Sequence, residues 1–335
     1  MKLEEIYQPI ADDLKAMEGI LEASVKESKN RSIQAMSGSL LESGGKKLRP
    51  ALVILSEKAA AAGKNTNCNH HELIMMASAV ELIHRASLIH DDVLDGATMR
   101  RSKPSINAEL GDDISIIFGD YIYSKAFDLI GKCRNPDVFD CISQAIHAMC
   151  EGELIQVYQR GNLDLSKDHY ITIVRKKTAS LLAACCHAGG ILGNHNRTVQ
   201  ATLKAFGLNF GIAFQIIDDC KDLISEERTL GKHPGQDVIA GDMTLPLLDL
   251  LDAVGQTERQ EIKRMFESEI DKNRLETIRR MYVNSNALSM TRQTALYYIN
   301  QAKCKLNELE NSDYKKSLDY LTDYIIPGKL FNSAR

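Results

Sequence analysis

Proline is scarce in this chain. There are seven in 335 residues (Pro9, Pro50, Pro104, Pro136, Pro234, Pro246 and Pro327), each near the expected end of an element. A proline inside a helix costs about 3 kcal/mol, so this distribution leaves long segments free to be helical. No run of alternating apolar and polar residues is bounded by turn pairs, and no strand is expected. None of the eight cysteines (68, 133, 141, 150, 185, 186, 220 and 304) falls in a C-x-x-C pair. That argues against a structural zinc site or a thioredoxin-type motif, and the cysteines inside apolar segments read as small buried residues. A formal net charge of -4 provides no broad basic surface, so no nucleic-acid partner is expected. The first residues, Met1 to Pro9, hold no apolar core of a secretory signal. The longest apolar run, Leu181 to Gly193, includes His187 and is too short to span a bilayer. With no low-complexity tract, internal repeat or linker, residues 1–335 read as a single cytoplasmic domain.

What the chain does have is helical patterning. Apolar residues make up 44% of it, enough for a substantial core, and 26% is charged. Helical periodicity is clear from Leu73 to Ile83, Val138 to Ile155 and Leu203 to Ile217, and it continues through 256–268, 273–285, 289–310 and 313–326. The expected fold is all-α, a bundle of ten or more helices. Three loops break the pattern: Ser43 to Pro50, Gly96 to Pro104 and Leu230 to Pro246. Chemistry tends to sit on loops held by rigid elements.

The most informative stretch is Leu88-Ile-His-Asp91-Asp92-Val-Leu-Asp95. Asp91 and Asp95 share a helix face, about 5–6 Å apart at Cβ, and they lie near the helix C-terminus, where the dipole disfavours anions. Repulsion and dipole together call for a cation. The same spacing recurs at Asp218-Asp219-Cys-Lys-Asp222 behind an apolar Phe-Gln-Ile-Ile. Oxygen-only clusters of this kind suit Mg²⁺, which is usually shared among a few carboxylates, waters and substrate phosphates. Two clusters that face each other would clamp a diphosphate and neutralise the charge of a departing one. In the first loop, Gly44-Gly45 lets backbone approach an anion, and Lys46 and Arg49 add a point charge and a bidentate fork. Arg100-Arg101 is a second cationic pair. The pattern is two acidic sites for a metal-bound diphosphate and two basic sites for a metal-free one.

GGKKLRP at 44–50, DDVLD with a double arginine nine residues after Asp91, KTA at 177–179, FQIIDDCKD at 214–222 and GK…D…TLP from 231 occur in an order and spacing that resemble the trans-isoprenyl diphosphate (polyprenyl) synthases. The resemblance implies helices around a central cavity, usually in a homodimer. It also implies head-to-tail condensation of isopentenyl diphosphate with an allylic diphosphate, with two or three Mg²⁺ ions bound along with the latter. Carried over by position, Asp91, Asp95 and Asp218 would ligate metal directly, and Asp92, Asp219 and Asp222 would act indirectly or through water. Lys46, Arg49, His84 and Arg101 would hold isopentenyl diphosphate, while Arg100, Lys177 and Lys232 would grip the allylic diphosphate. Thr178 and Gln215 would place oxygen dipoles near the allylic cation, a use of preorganised electrostatics, and the released diphosphate would take the final proton. The product would be an all-trans chain handed to membrane enzymes. Three departures stand out: Asp242 where the family often has lysine, Ser102 where glycine is common, and no clear basic cluster at the C-terminus.

One turn before Asp91 lies Ser87, with Ala86 beside it. In the family a bulky residue here stops the chain early, so two small residues predict geranylgeranyl or longer products, with farnesyl or shorter the alternative. Any floor would lie deeper, at Ile83 or Val80 or around Ala145 and Met149. Glu81-Leu-Ile-His84 has the spacing of a di-iron bundle ligand pair, but no second copy exists. Cys68 with His70 and His71 has no matching ligand pair and reads as a loop at a helix start. A terpene cyclase would not need Lys46, Arg49 and Arg101, and a non-catalytic synthase subunit would not need all six aspartates.

Overall fold

The structure, a computed structural model, describes residues 1–42, 44–61, 69–100, 103–194, 196–224, 234–268 and 270–326. The expected site residues Arg101 and Lys232, with Ser102, Cys68 and the C-terminal 327–335, lie outside the described residues. The chain folds as two compact units interleaved along the sequence. One comprises Met1–Gln144, Leu182–Gly207 and Lys305–Leu321; the other comprises Ala145–Leu181, Leu208–Cys304 and Thr322–Arg335. Neither is a continuous stretch, so no linker separates them in the sequence.

The first unit opens with α1 (Leu3–Tyr7), a 3₁₀ turn and α2 (Ala11–Lys26), followed by α3 (Arg31–Glu42), α4 (Leu48–Ala61) and α5 (His70–Leu94). From Leu48 to Ala60, α4 is buried almost all round, as is α5 from Leu73 to Ala86. A helix without a polar face is a core helix, and α5 packs against α2, α4 and the later α7. By length and composition α5 could cross a membrane, but 78% of the qualifying stretch is buried inside the protein. The side chain of Asn69 caps α5, accepting from the His71 N–H at 3.0 Å. His70 and His71 are thus exposed first-turn residues. After α5 a two-residue antiparallel ladder pairs Met99–Arg100 with Lys103–Pro104, a strand pair the sequence pattern did not suggest. Helices α6 (Ile106–Leu110) and α7 (Asp112–Lys132) follow, then α8 (Pro136–Tyr158).

In the second unit, α9 (Lys167–Val174) runs into a π-helical turn at Arg175–Ala179, and α10 (Ser180–Gly193) belongs to the first unit from Leu182 onward. Such turns recur at functional sites because the extra residue redirects side chains. Helix α11 (Arg197–Ile224) carries the second aspartate cluster at its end. The rest of this unit is α12 (Gln236–Ile239), α13 (Leu245–Ala253), α14 (Gln256–Met265), α15 (Lys272–Asn284) and most of α16 (Ala287–Leu306), while α17 (Asp313–Tyr324) belongs mostly to the first. Buried Asp249 of α13 ties the second unit together, accepting from Thr291 Oγ1 at 2.7 Å and pairing with Lys167 Nζ at 2.7 Å. The prolines behave as their chemistry dictates: Pro136 opens α8 and Pro246 lies in the first turn of α13, where a missing N–H costs nothing. Cys185 and Cys186 are fully buried, and burial pushes the Cys186 thiol up to about 12, so they pack rather than react.

Candidate active site

In the first unit the end of α5 builds the acidic cluster. Asp91 is half-buried, Asp92 is buried and Asp95 is exposed at the C-cap, where its N–H donates to the Asp91 carbonyl at 2.9 Å. The carboxylates do stand at a helix C-terminus, so both the dipole and their mutual repulsion favour a cation there. Arg100 supplies part of that charge: its Nε lies 2.7 Å from both oxygens of Asp92, and its Nη2 lies 2.6 Å from Oδ1. The expected allylic-diphosphate ligand is thus engaged by an aspartate of the same cluster, and the turn after the helix folds to allow it. In that turn Asn107 Nδ2 donates to the carbonyls of Asp92 (3.2 Å) and Ala97 (3.1 Å), and Ser105 Oγ donates to the latter at 2.5 Å.

The basic loop leads into α4. Gly44 has φ +60° and Lys47 has φ +50°. The left-handed region costs a non-glycine residue about 1–2 kcal/mol, and such strain collects at ligand-binding loops. Lys46 is exposed, and Arg49 sits half-buried in the first helical turn. A cation is poorly placed there with respect to the dipole, whereas the backbone N–H groups favour an anion. A cleft of about 640 Å³, open to solvent, is lined by Gly44, His84, Arg85, Asp92, Arg100 and Lys103 among others. It brings the expected residues His84 and Arg100 to one wall system; Lys46, Arg49, Asp91 and Asp95 are not among its lining. Arg85 is held by Glu81 at 3.0 Å and by the Leu40 carbonyl at 2.7 Å, which explains the E-x-x-H segment as an ion-paired core turn. Ala86 is fully buried and Ser87 half-buried, its Oγ donating to the His84 carbonyl at 2.9 Å.

In the second unit Asp218 is exposed, while Asp219 and Asp222 are buried. Asp219 accepts from Tyr170 Oη at 2.6 Å and from Gln215 Nε2 at 2.6 Å. Thr178 Oγ1 donates to Gln215 Oε1 at 2.7 Å. Three expected residues, Thr178, Gln215 and Asp219, therefore form one hydrogen-bonded row that fixes the Gln215 amide. Burial first, and the neighbouring Asp218 and Asp222 after it, push the Asp219 carboxyl up to about 7 against the two donors. A carboxylate crowded in this way accommodates a divalent cation readily. Asp222 Oδ2 accepts from the Asp237 N–H at 3.2 Å and its carbonyl accepts from the Gly235 N–H at 2.8 Å, tying the start of α12 to the end of α11. Among the described residues no three acidic, histidine or cysteine side chains already converge on one point. A metal at either cluster would take part of its shell from water or phosphate, which fits the preference of Mg²⁺.

Two residues here, Tyr170 and Arg160, were missed by sequence reasoning, and the contacts of others were not readable. Lys177 Nζ pairs with Glu153 Oε2 at 2.6 Å. Gly152 lets α8 touch the π turn: a Cβ there would stand 2.4 Å from the Lys177 backbone nitrogen. A lone glycine inside a helical pattern is a recognised packing signal. Tyr170 lies two turns before Lys177, so its face was readable but its partner was not. Asp242, the departure in place of lysine, is buried and accepts from Gln156 Nε2 at 2.7 Å and Arg160 Nε at 2.9 Å. The charge at this position is thus reversed and neutralised by Arg160.

The family model described as "Polyprenyl synthetase" matches residues 30–283. The chain belongs to the polyprenyl synthetase family. A short chain isoprenyl diphosphate synthase of Methanothermobacter thermautotrophicus is 31% identical over 326 residues, covering 96% of each chain. The octaprenyl diphosphate synthase of Escherichia coli is 30% identical over 321 residues, covering 95% of this chain and 96% of its own. Among solved structures, a polyprenyl synthase from Caulobacter crescentus, complexed with calcium and isoprenyl diphosphate, superposes with a TM-score of 0.91 at 30% identity over 97% of both chains. Like its family, this protein is a prenyltransferase enzyme that elongates prenyl chains, and the all-α fold expected from its helical patterning is the one observed.

Proposed function

We propose that this polyprenyl synthetase condenses isopentenyl diphosphate with an allylic diphosphate, head to tail and with Mg²⁺, to give an all-trans prenyl diphosphate of geranylgeranyl length or longer. The observation that carries this reading is the duplicated equipment for anions. One basic loop, with left-handed Lys47 beside exposed Lys46 and half-buried Arg49, carries no aspartate cluster among its described residues. The two aspartate clusters, by contrast, call for metal. In this reading both clusters serve the allylic diphosphate and the basic loop serves the isopentenyl one.

When bound, Mg²⁺ neutralises charge on the departing diphosphate. Asp91, Asp95 and Asp218 would hold it, while Asp92, Asp219 and Asp222 would orient and balance that set. The allylic C–O bond breaks, the isopentenyl double bond forms the new C–C bond at the resulting cation, and a proton leaves for the released diphosphate. Thr178 and Gln215, locked to each other, keep oxygen dipoles fixed beside the positive charge, which preorganised dipoles stabilise without reorganisation cost. Arg100, Lys177 and Lys232 are assigned to the allylic diphosphate. Lys46, Arg49, His84 and Arg101 hold the partner diphosphate. Water is kept out because the cation would be hydrolysed.

Chain length is read from Ala86 and Ser87, both small. Of the two, Ser87 retains accessible surface, so it is the one placed to line a path for the growing chain. The exposed apolar residues Ile114, Ile116 and Ile117, close together at the start of α7 (45%, 44% and 68% exposed), offer a contiguous apolar surface for a homodimer. The protein acts in the cytoplasm and passes its product to membrane enzymes. The decisive experiment supplies labelled isopentenyl diphosphate, several allylic primers and Mg²⁺ to the purified protein and separates the products by chromatography. No elongation with any primer would favour a terpene cyclase or a non-catalytic subunit. Full activity in Asp91→Ala or Asp218→Ala would remove the metal clamp.

A further inference from the structure

The family match begins at residue 30, yet the basic loop at 44–49 is fastened by residues that precede it. Tyr7, at the end of α1 and 8% exposed, donates its hydroxyl to the Lys46 carbonyl at 3.0 Å across 39 residues of sequence. Glu18 of α2 pairs with the Lys47 ammonium. Lys47 is the left-handed residue of the loop, and its own carbonyl accepts the Ala51 N–H at 3.0 Å, closing the first turn of α4. A non-glycine residue keeps such a conformation only where its surroundings over-determine it. Here one contact grips the backbone just before Lys47 and the other grips its side chain.

The platform behind these contacts is rigid. Ile6, Ile10, Met17, Leu21 and Val25 are buried, and Ser78 of α5 donates to the Met17 carbonyl at 3.2 Å. Lys58 of α4 pairs with Asp13 at 3.1 Å. The N-terminal helices are thus bolted to the same core helices that carry the basic loop and the first aspartate cluster.

We infer that the N-terminal helical segment, through Tyr7 and Glu18 as positioning residues, sets the affinity for isopentenyl diphosphate by holding the Lys46–Arg49 loop in its left-handed conformation. This rests on the proposed assignment of that loop to the isopentenyl substrate. Neither residue touches substrate; both act through Lys47.

The test uses the full chain with Tyr7→Phe, Glu18→Gln, Lys47→Gly and the Tyr7→Phe/Lys47→Gly double variant. Losing one neutral hydrogen bond corresponds to about a fivefold effect. Tyr7→Phe is expected to raise KM for isopentenyl diphosphate about fivefold, with kcat and the allylic KM within about twofold of the parent. Glu18→Gln, losing an exposed pair, should shift the same KM by about twofold. Glycine adopts positive φ without penalty, so in the Lys47→Gly background Tyr7→Phe should have less than about half its effect. Amide hydrogen exchange at Leu48 to Ala51, read without substrate, should quicken about fivefold in Tyr7→Phe while α7 is unchanged. Equal changes in both KM values, an undiminished effect in the Lys47→Gly background, or unaltered exchange at 48–51 would overturn the inference. If the parent does not turn over isopentenyl diphosphate, the functional assignment fails, and with it the substrate-specific part of this inference. The exchange arm still decides whether Tyr7 holds the loop.

Discussion

Replacing Tyr170 by phenylalanine removes one hydroxyl and keeps the ring. In the parent that hydroxyl donates to Asp219 Oδ2 at 2.6 Å, with both residues buried. A hydrogen bond to a charged group contributes about 1.5–3 kcal/mol. Unfolding entropy of about 2.1 cal/mol/K per residue, over 335 residues, makes that loss a fall in Tm of about 2–4 °C. The effect should depend on pH. In the metal-free protein the Asp219 carboxyl is raised by burial to about 7, above its unfolded value. Between about pH 4 and pH 7 the folded chain therefore retains a proton that the unfolded chain has lost. Stability falls as pH rises through that window and levels off above it. Tyr170→Phe removes a donor that holds the carboxyl down, so the fall continues past about pH 7 and the Tm deficit is larger at pH 8 than at pH 5. Thermal melts in chelator at the two pH values measure this directly. A deficit below about 0.5 °C, or one identical at both pH values, would refute the view that Tyr170 supports the ionised carboxylate.

Arg160→Ala strips the counter-charge from buried Asp242. Breaking a buried pair costs about 3–5 kcal/mol, and with Arg160 itself 26% exposed about 2 kcal/mol is expected, read as the denaturation midpoint; Asp242→Asn in the Arg160→Ala background should recover most of it. Gly152→Ala sets a Cβ against the Lys177 backbone and should cut kcat more than about tenfold with the helical circular-dichroism signal intact, because a misplacement near 1 Å can cost about a hundredfold. Ser87→Phe, where the side chain retains accessible surface, and Ala86→Phe from its fully buried position should each shorten the products in the chromatographic assay. Unchanged chain lengths in both would exclude this turn of α5 as a length determinant.

The site was legible where chemistry depends on residue type at short spacing. The aspartates at i and i+4 and the Gly-Gly-Lys-Lys loop announce anion and metal chemistry locally, whereas Thr178 and Gln215 stand out only through the family resemblance. The helices expected from period over 256–268, 273–285, 289–310 and 313–326 are found at 256–265, 272–284, 287–306 and 313–324, because a helix closes its own hydrogen bonds. The ladder at Met99–Pro104 was not expected, since two residues are too short to show alternation.

What the sequence by itself determined was the helical class and the short spacings that mark the candidate metal- and anion-binding residues. Tertiary structure alone decided their partners: Tyr170 for Asp219 across 49 residues, Arg160 for Asp242 across 82, and Tyr7 for Lys46 across 39. It also divided the chain into two interleaved units. Helical periodicity reports which face of a segment is buried, but not against what. A hydrogen-bond partner tens of residues away leaves no spacing to read, so which carboxylate is held, neutralised or left accessible depends on packing that only the folded chain supplies.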